Sequence, residues 1–115
     1  MQPEASALLW DARKAATLVT DFVSGNDWRN FEGDPMLRSA VERQFQIIGD
    51  ALNKLRRVDP DTAAQIPDLA RIIAFRNVLV HGYATIDNEL VWEVATSRLP
   101  DLSAILRTLL EGPEG

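Results

Sequence analysis

The sequence predicts an all-α protein, folded as an up-down bundle of four to five helices joined by short loops. Apolar residues recur at helical spacing along most of the chain, and no segment shows the alternation expected of a half-buried strand. Breaks rich in glycine, asparagine and proline separate the helical segments. Because 46% of the 115 residues are hydrophobic, the chain can bury a core of its own, and we expect one domain over residues 1–115.

The first predicted helix runs from about residue 4 to residue 23. A break follows over residues 24–35, where two glycines, two asparagines and a proline fall close together. The apolar face of this helix repeats every three or four residues and consists of Leu8, Ala12, Ala15, Ala16, Val19, Phe22 and Val23.

The second predicted helix runs from about residue 35 to residue 57. Asp34 can accept hydrogen bonds from its first turn, and Pro35 suits its first position. The last turn is basic and contains Lys54, Arg56 and Arg57. These cations either complement the helix dipole or form an RNA-binding patch, and we favour the first interpretation. One continuous apolar stripe follows the helix: Leu37, Val41, Phe45, Ile48, Leu52 and Leu55.

A connector over residues 59–68 has room for one short helical turn. The third main helix is expected to begin near Pro67 or Asp68. It should end near His81, because Gly82 is a residue that commonly stops a helix.

The fourth main helix should begin near Asp87 and end at Gly112 and Pro113. Pro100 is expected to kink or split it, because proline lacks the N–H that a helix interior needs. Its apolar positions are Leu90, Val91, Val94, Leu99, Leu102, Ile105, Leu106 and Leu109.

One charged residue, Arg76, interrupts the apolar face of the third helix. On a wheel of about 100° per residue it lies in the middle of an arc of roughly 120° that is otherwise apolar. Because an unpaired buried guanidinium is costly, either Asp50 or Glu42 of the second helix pairs with it, or it waits in a cleft or subunit interface for an anionic ligand. The pattern leaves both open, and they are compatible. The arc contains Leu69, Ile72, Ile73, Leu79 and Val80.

The chain has one histidine, His81, five residues after Arg76. In an ideal helix the two side chains point about 140° apart, so they converge only if the helix ends near His81. Asn77 lies four residues before His81 on the same face, where it can orient the imidazole. Taken alone, a histidine at a helix C-terminus is explained by the helix dipole, and Tyr83 is typical of a core or interface aromatic.

The composition excludes several classes of function. With no cysteine and one histidine the chain lacks the ligands of a structural zinc site, and we expect neither a metal nor another cofactor. No stretch approaches the roughly 18 apolar residues of a membrane span, so a cytoplasmic protein without membrane contacts is expected. The net charge of −5 argues against broad coating of a nucleic-acid backbone, but it leaves open a small local phosphate site or a basic partner.

The segment "RNVLVHGY", residues 76–83, carries a more specific signal together with its surroundings. It has the pattern R-x4-H-x-Y. Residues 40–55, "AVERQFQIIGDALNKL", contain the step Gly49-Asp50-Ala51, and residues 72–102 follow in matching order and spacing. On these features the chain resembles HepT-like proteins, also called DUF86, a branch of the HEPN ribonuclease superfamily, over about 75 of its 115 residues.

The resemblance implies a helical homodimer in which two R-x4-H motifs share one cleft. It also implies a metal-independent endoribonuclease that is the toxin of a toxin–antitoxin pair. The partner would be a small nucleotidyltransferase, an MNT-type antitoxin, that transfers AMP to the motif tyrosine. Carried over residue by residue, Arg76 and His81 are the expected catalytic pair, Asn77 a supporting residue, and Tyr83 the site of modification.

These residue types suit RNA cleavage without a metal. The reaction needs a base for the ribose 2′-OH, an acid for the departing 5′-oxygen and a cation for the negative charge on phosphorus. Arg76 offers the cation, and an imidazole such as that of His81 can transfer protons near neutral pH. One histidine cannot easily be both acid and base, so a dimer with two copies of His81 would remove the difficulty.

Two other interpretations stay open at this stage. The chain could be a non-catalytic helical adaptor that binds a nucleotidyltransferase partner or a nucleotide, which the acidic composition mildly favours. In the other, Arg76 is only an internal salt bridge, and its replacement would collapse the thermal stability.

Overall fold

Four helical segments lie side by side in the computed structural model, which describes residues 1–82 and 86–112. Every regular element among these residues is helical, which confirms the predicted all-α class. Two short helices lie in the connections between the long segments. In chain order the elements are α1 (Pro3–Val23), α2 (Trp28–Gly33), α3 (Pro35–Val58), α4 (Pro60–Ala63), α5 (Leu69–His81), α6 (Asn88–Glu93), a π-helical turn (Val94–Arg98) and α7 (Leu99–Glu111).

Helix α3 is the element around which the others pack. Both α1 and α5 contact it, α1 also contacts α7, and α2 touches both α3 and α6. The predicted stripe of α3 is buried except for Leu37, which is half-buried. The domain measures 43 × 29 × 19 Å. Within the described ranges no helix combines the length and the apolar character that crossing a bilayer requires.

The start of α3 is fixed by the pair that the sequence indicates. Asp34 Oδ1 accepts hydrogen bonds from the backbone N–H groups of Met36, at 3.0 Å, and Leu37, at 3.1 Å. Pro35 occupies the first turn, where its missing N–H costs nothing. The predicted bounds of the first two long helices are therefore confirmed to within one residue.

The break predicted over residues 24–35 is wrong in part, because it contains helix α2. Asp27 Oδ1 accepts from the N–H of Asn30 at 2.8 Å, and Asn30 Oδ1 accepts from the N–H of Asp27 at 3.1 Å. This reciprocal pair satisfies two donors at the start of the helix. Phe31 is fully buried, with its ring centroid 5.2 Å from that of Trp92 in α6. Burial of one aromatic ring thus stabilises a helix that local composition disfavours.

The connector over residues 59–68 holds the single short turn expected there, α4. Asp59 accepts hydrogen bonds from both the hydroxyl, at 2.8 Å, and the backbone N–H, at 3.2 Å, of Thr62. These bonds, led by the hydroxyl, hold the pKa of Asp59 below its usual value. Asp68 then turns the chain with a left-handed backbone, φ 57°, and α5 begins at Leu69.

Two helices end beside the glycines that were expected to stop them. Helix α5 ends at His81 and its cap is Gly82, although the φ of Gly82 is −113° and not left-handed. Helix α7 ends at Glu111, and Gly112 has a φ of 74°. Pro113, the other expected stop signal, lies outside the described residues.

Pro100 splits the last predicted helix, as expected. Helix α6 ends at Glu93, and the π-helical turn leads into α7, where Pro100 lies in the first turn. The N–H of Leu99 bonds to the carbonyl oxygen of Val94, five residues back. The widened turn places the proline where its missing N–H and its ring disturb the ladder least.

Replacement of Asp34 by alanine should lower the free energy of unfolding by about 1 kcal/mol, because two N–H groups of α3 lose their acceptor. Urea denaturation followed by circular dichroism measures this change. Asp21→Ala, on the exposed face of α1, is the control and should change stability by less than about 0.5 kcal/mol. Equal stabilities of the two variants would contradict the assignment of Asp34 as the cap.

Candidate functional site

Helices α3 and α5 touch at one very close point, where Gly49 faces Arg76. A Cβ atom placed on Gly49 would overlap the Cβ and Cγ atoms of Arg76. Only glycine therefore fits at this position of α3 while α5 keeps its place. The contact sets the first atoms of the Arg76 side chain against the backbone of α3.

Asp50, the next residue of α3, supplies a negative charge to that guanidinium. Arg76 Nε lies 2.7 Å from Asp50 Oδ1. Nε is buried but has no aligned hydrogen bond among the described residues, so the contact is an ion pair with poor directionality. The side chain of Arg76 is 27% exposed and that of Asp50 is 44% exposed. The pair thus lies at the rim of the helix interface, where such pairs contribute at most about 1 kcal/mol to stability.

The outer end of the guanidinium is held by its neighbour in sequence. Arg76 Nη1 donates to Asn77 Oδ1 at 3.1 Å. Within residues 1–82 and 86–112, Nε and Nη1 have these contacts and Nη2 has none. Two of the three nitrogens are therefore oriented by protein groups, and the third can donate to an anionic ligand.

Glu42, the other carboxylate considered as a partner of Arg76, lies nearly two turns before Gly49 on α3. Burial raises the pKa of Glu42 above its usual value, and the positive charge of Arg38 partly offsets that rise. Arg38 also donates to the backbone carbonyl oxygen of Glu32. Glu42 therefore belongs to a different set of charges, near the beginning of α3.

An aromatic pair braces the same two helices one turn away. The rings of Phe45 in α3 and Phe75 in α5 meet edge to face, with centroids 5.2 Å apart and planes at 78°. Phe45 precedes Gly49 by four residues, and Phe75 directly precedes Arg76. Such a pair adds about 0.5–1.5 kcal/mol beyond its buried area, which helps to keep α5 at the spacing that the glycine contact needs.

His81 is exposed at the last position of α5. No hydrogen bond or ion pair joins it to another described residue. Asn77, which was expected to orient the imidazole, binds Arg76 instead. Because α5 stays helical through His81, the side chains of Arg76 and His81 leave the helix about 140° apart. One copy of the chain does not bring the two together.

Two further sequence predictions concern the modification of Tyr83 and the binding of a metal ion. Tyr83 lies outside the described residues, so its assignment as a modification site stays a prediction. No group of three or more histidine, aspartate and glutamate side chains in the described ranges is arranged to hold a metal ion.

Gly49 is the residue of the site to which the sequence analysis gave no role. It appeared there only as part of the Gly49-Asp50-Ala51 step. A glycine in the interior of a long helix costs about 1 kcal/mol relative to alanine, which is a signal that something else needs the space. The sequence alone does not say which residue approaches it, because the partner is 27 positions away on another helix.

A comparison with protein families matches most of the chain to one family. The family model "Ribonuclease HepT-like" matches residues 12–109, a span that includes all of α3 and α5. The chain therefore belongs to the HepT-like ribonuclease family.

Similar proteins of known sequence carry related names. "Putative RNase MJ1380" of Methanocaldococcus jannaschii is 30% identical over 101 residues, which cover 86% of this chain and 90% of that protein. "Putative RNase TTE0752" of Caldanaerobacter subterraneus subsp. tengcongensis is 27% identical over 89 residues, covering 77% of this chain and 79% of that protein. No solved structure matches the chain significantly.

Gly49→Ala should destabilise the protein by about 1–3 kcal/mol, because the added methyl group forces α3 and α5 apart at Arg76. Gly33→Ala is the matched control, since a Cβ on Gly33 meets no atom within 4 Å. We expect its stability to equal or slightly exceed that of the parent. Thermal melts of the parent, Gly49→Ala and Gly33→Ala measure the change in stability. A Gly49→Ala protein as stable as the parent would show that the close contact is absent.

Proposed function

We propose that the chain is an endoribonuclease that cleaves RNA without a metal ion and acts as the toxin of a toxin–antitoxin pair. The observation that carries the proposal is the guanidinium of Arg76, held by Gly49 and Asp50 with Nη2 turned to no protein group among the described residues. A fixed guanidinium of this kind suits a phosphate. The names of the two relatives support RNA as the substrate.

The proposed reaction is an attack of the ribose on its own phosphate. A base removes the proton of the 2′-OH, the 2′-oxygen bonds to phosphorus, and the 5′-oxygen leaves with a proton from an acid. The products are a 2′,3′-cyclic phosphate and a 5′-hydroxyl. Arg76 would stabilise the negative charge that builds up on the phosphate oxygens, and His81 would act in proton transfer.

A homodimer is part of the proposal, because it supplies a second imidazole. The outer face of α5 is uncharged over two turns: Ala70, Ala74 and Val78 are exposed, and the side chain of Val78 is 50% exposed. These positions and His81 fall within an arc of about 80° on the helix. A second copy packed on this face would bring two His81 side chains close together, one as base and one as acid.

The proposed regulator is a nucleotidyltransferase antitoxin that transfers AMP from ATP to Tyr83. The tyrosine oxygen loses its proton and bonds to the α-phosphorus, and pyrophosphate leaves. Tyr83 follows His81 by two residues. An AMP group there would put a phosphate and a purine beside the proposed RNA site, where the phosphate competes for Arg76. This part rests on the family to which the chain belongs and on the position of Tyr83 in the sequence.

A non-catalytic adaptor is the second candidate. It is favoured by the net charge of −5 and by the absence of any described residue that orients His81. Such a protein would bind its nucleotidyltransferase partner or a nucleotide, and would leave RNA intact. Purified dimer, freed of its partner and shown by mass spectrometry to be unmodified at Tyr83, would then give no products from labelled tRNA or mRNA.

His81→Ala and Arg76→Ala should each lower the rate of RNA cleavage in the presence of EDTA by at least about 100-fold. Both should also relieve the growth inhibition that the parent causes on expression. The matched control is Arg71→Ala, which removes an exposed arginine from the same helix, and we expect it to cleave RNA at the parent rate.

The same variants separate the catalytic from the structural interpretation of Arg76. Because its ion pair is partly exposed, Arg76→Ala should cost only about 1 kcal/mol in the free energy of unfolding. A melting temperature that collapses in Arg76→Ala supports a purely structural salt bridge. Cleavage by His81→Ala at the parent rate contradicts the proposed mechanism.

Incubation with the nucleotidyltransferase and ATP should add the mass of AMP to the peptide that contains Tyr83, and RNA cleavage should fall with the modified fraction. Tyr83→Phe has no hydroxyl to modify, so it should gain no mass and should stay active. Modification of another residue, or full activity of the modified protein, would contradict the role of Tyr83.

A further inference from the structure

Helix α1 presents a tryptophan to solvent on the side opposite the core. Trp10 is 54% exposed, whereas the buried residues of the helix, such as Ala12 and Val19, lie on the other side. The other two tryptophans, Trp28 and Trp92, are half-buried and pack around Phe31. Trp10 contributes nothing comparable to the core, so folding does not explain its place.

Two cations stand beside this ring in a chain that is acidic as a whole. The Nζ atom of Lys14 lies 5.2 Å from the ring centroid of Trp10, over its face. Five residues of α1 line a shallow groove of about 280 Å³: Trp10, Arg13, Lys14, Thr17 and Leu18. The nearest acidic residue in sequence, Asp11, projects about 100° around the helix from Trp10 and does not line the groove. The five residues that line the groove include two cations and no acidic residue, so the lining carries +2 although the chain carries −5.

An exposed ring flanked by cations matches single-stranded nucleic acid in two ways. Bases of every type stack on aromatic side chains, and the phosphates on either side of a base attract lysine and arginine. Lys14 covers the ring in the free protein, but its flexible stem lets the ammonium move to a phosphate when a base takes its place. A groove on one helix with a single ring has room for about one nucleotide, so it fits a contact point for a strand rather than a complete binding channel.

We propose that the α1 groove, formed by Trp10, Arg13, Lys14, Thr17 and Leu18, is a second contact site for single-stranded RNA. A base stacks on Trp10, and Arg13 and Lys14 bind the adjacent phosphates. The inference rests on the proposed ribonuclease function for the identity of the nucleic acid. The protein is acidic and has one arginine at its candidate site. The α1 groove would give it a second point at which to bind RNA.

The test measures binding of a fluorescein-labelled single-stranded oligonucleotide with 2′-O-methyl riboses, which the proposed reaction cannot cleave. Fluorescence anisotropy at low salt gives the affinity of the full chain. Trp10→Ala should bind about five- to a hundredfold more weakly, and Trp10→Phe should keep most of the affinity because it keeps a ring. Arg13→Gln/Lys14→Gln should also bind more weakly, with a slope of log affinity against log salt that is shallower by about 1.4.

Arg29→Gln/Arg107→Gln is the matched control, because it removes the same charge from exposed positions on α2 and α7, outside the groove. We expect it to bind nearly as the parent does. An equal loss in this control, or unchanged binding by Trp10→Ala, would overturn the proposal. A change in oligomeric state of Trp10→Ala with unchanged RNA affinity would assign the face to a subunit contact and would also overturn it.

Binding and cleavage fail independently in this design. If the parent cleaves RNA but Trp10→Ala binds the oligonucleotide as tightly, the groove is refuted and the ribonuclease proposal stands. If the parent binds through Trp10 but cleaves nothing, the groove is supported and the catalytic proposal fails. An oligonucleotide that the parent does not bind at all refutes the groove.

Discussion

The close contact of α3 and α5 at Gly49 and Arg76 is the constraint on which the candidate site depends. Gly49 has no side chain, so the Cβ and Cγ atoms of Arg76 can lie directly against the backbone of α3. This approach in turn places the guanidinium beside Asp50, within 2.7 Å. An ordinary side chain at position 49 would move α5 outward and would carry Arg76, Asn77 and His81 with it. The interior glycine, which costs about 1 kcal/mol relative to alanine, is what allows the two helices to come this close.

Most of the fold follows from local chemistry, and the exceptions have physical causes. Asp34 and Pro35 fix the start of α3 because an acceptor and a proline both suit a helix beginning. Helix α2 escaped prediction because its stability comes from the burial of Phe31 against Trp92, a partner about 60 positions away. Pro100 indicated an interruption, but the widening of the preceding turn into a π-helix depends on how the flanking helices pack.

The candidate site likewise combines features that the sequence predicts with features that depend on how the helices pack. Arg76 stood out in the sequence because a charge in an apolar arc needs an explanation, and the structure places Asp50 beside it. The choice between Asp50 and Glu42 could not be made from the sequence, because it depends on where along α3 the fifth helix crosses. Asn77 and His81 share a face as expected, yet Asn77 Oδ1 accepts a hydrogen bond from Arg76 Nη1, at 3.1 Å, and does not orient the imidazole. No hydrogen bond or ion pair joins His81 to another described residue, and in the proposed dimer a second copy of the chain would face it.

The central claim is that the guanidinium positioned by Gly49 and Asp50 receives the phosphate of RNA. The most direct measurement is the NMR resonance of the Arg76 Nε–H group during titration with a 2′-O-methyl oligonucleotide, with that of Arg71 as the internal reference. We expect the Arg76 resonance to shift in proportion to binding while the Arg71 resonance stays in place. An Arg76 resonance that does not move at saturating oligonucleotide would show that the guanidinium does not bind the phosphate.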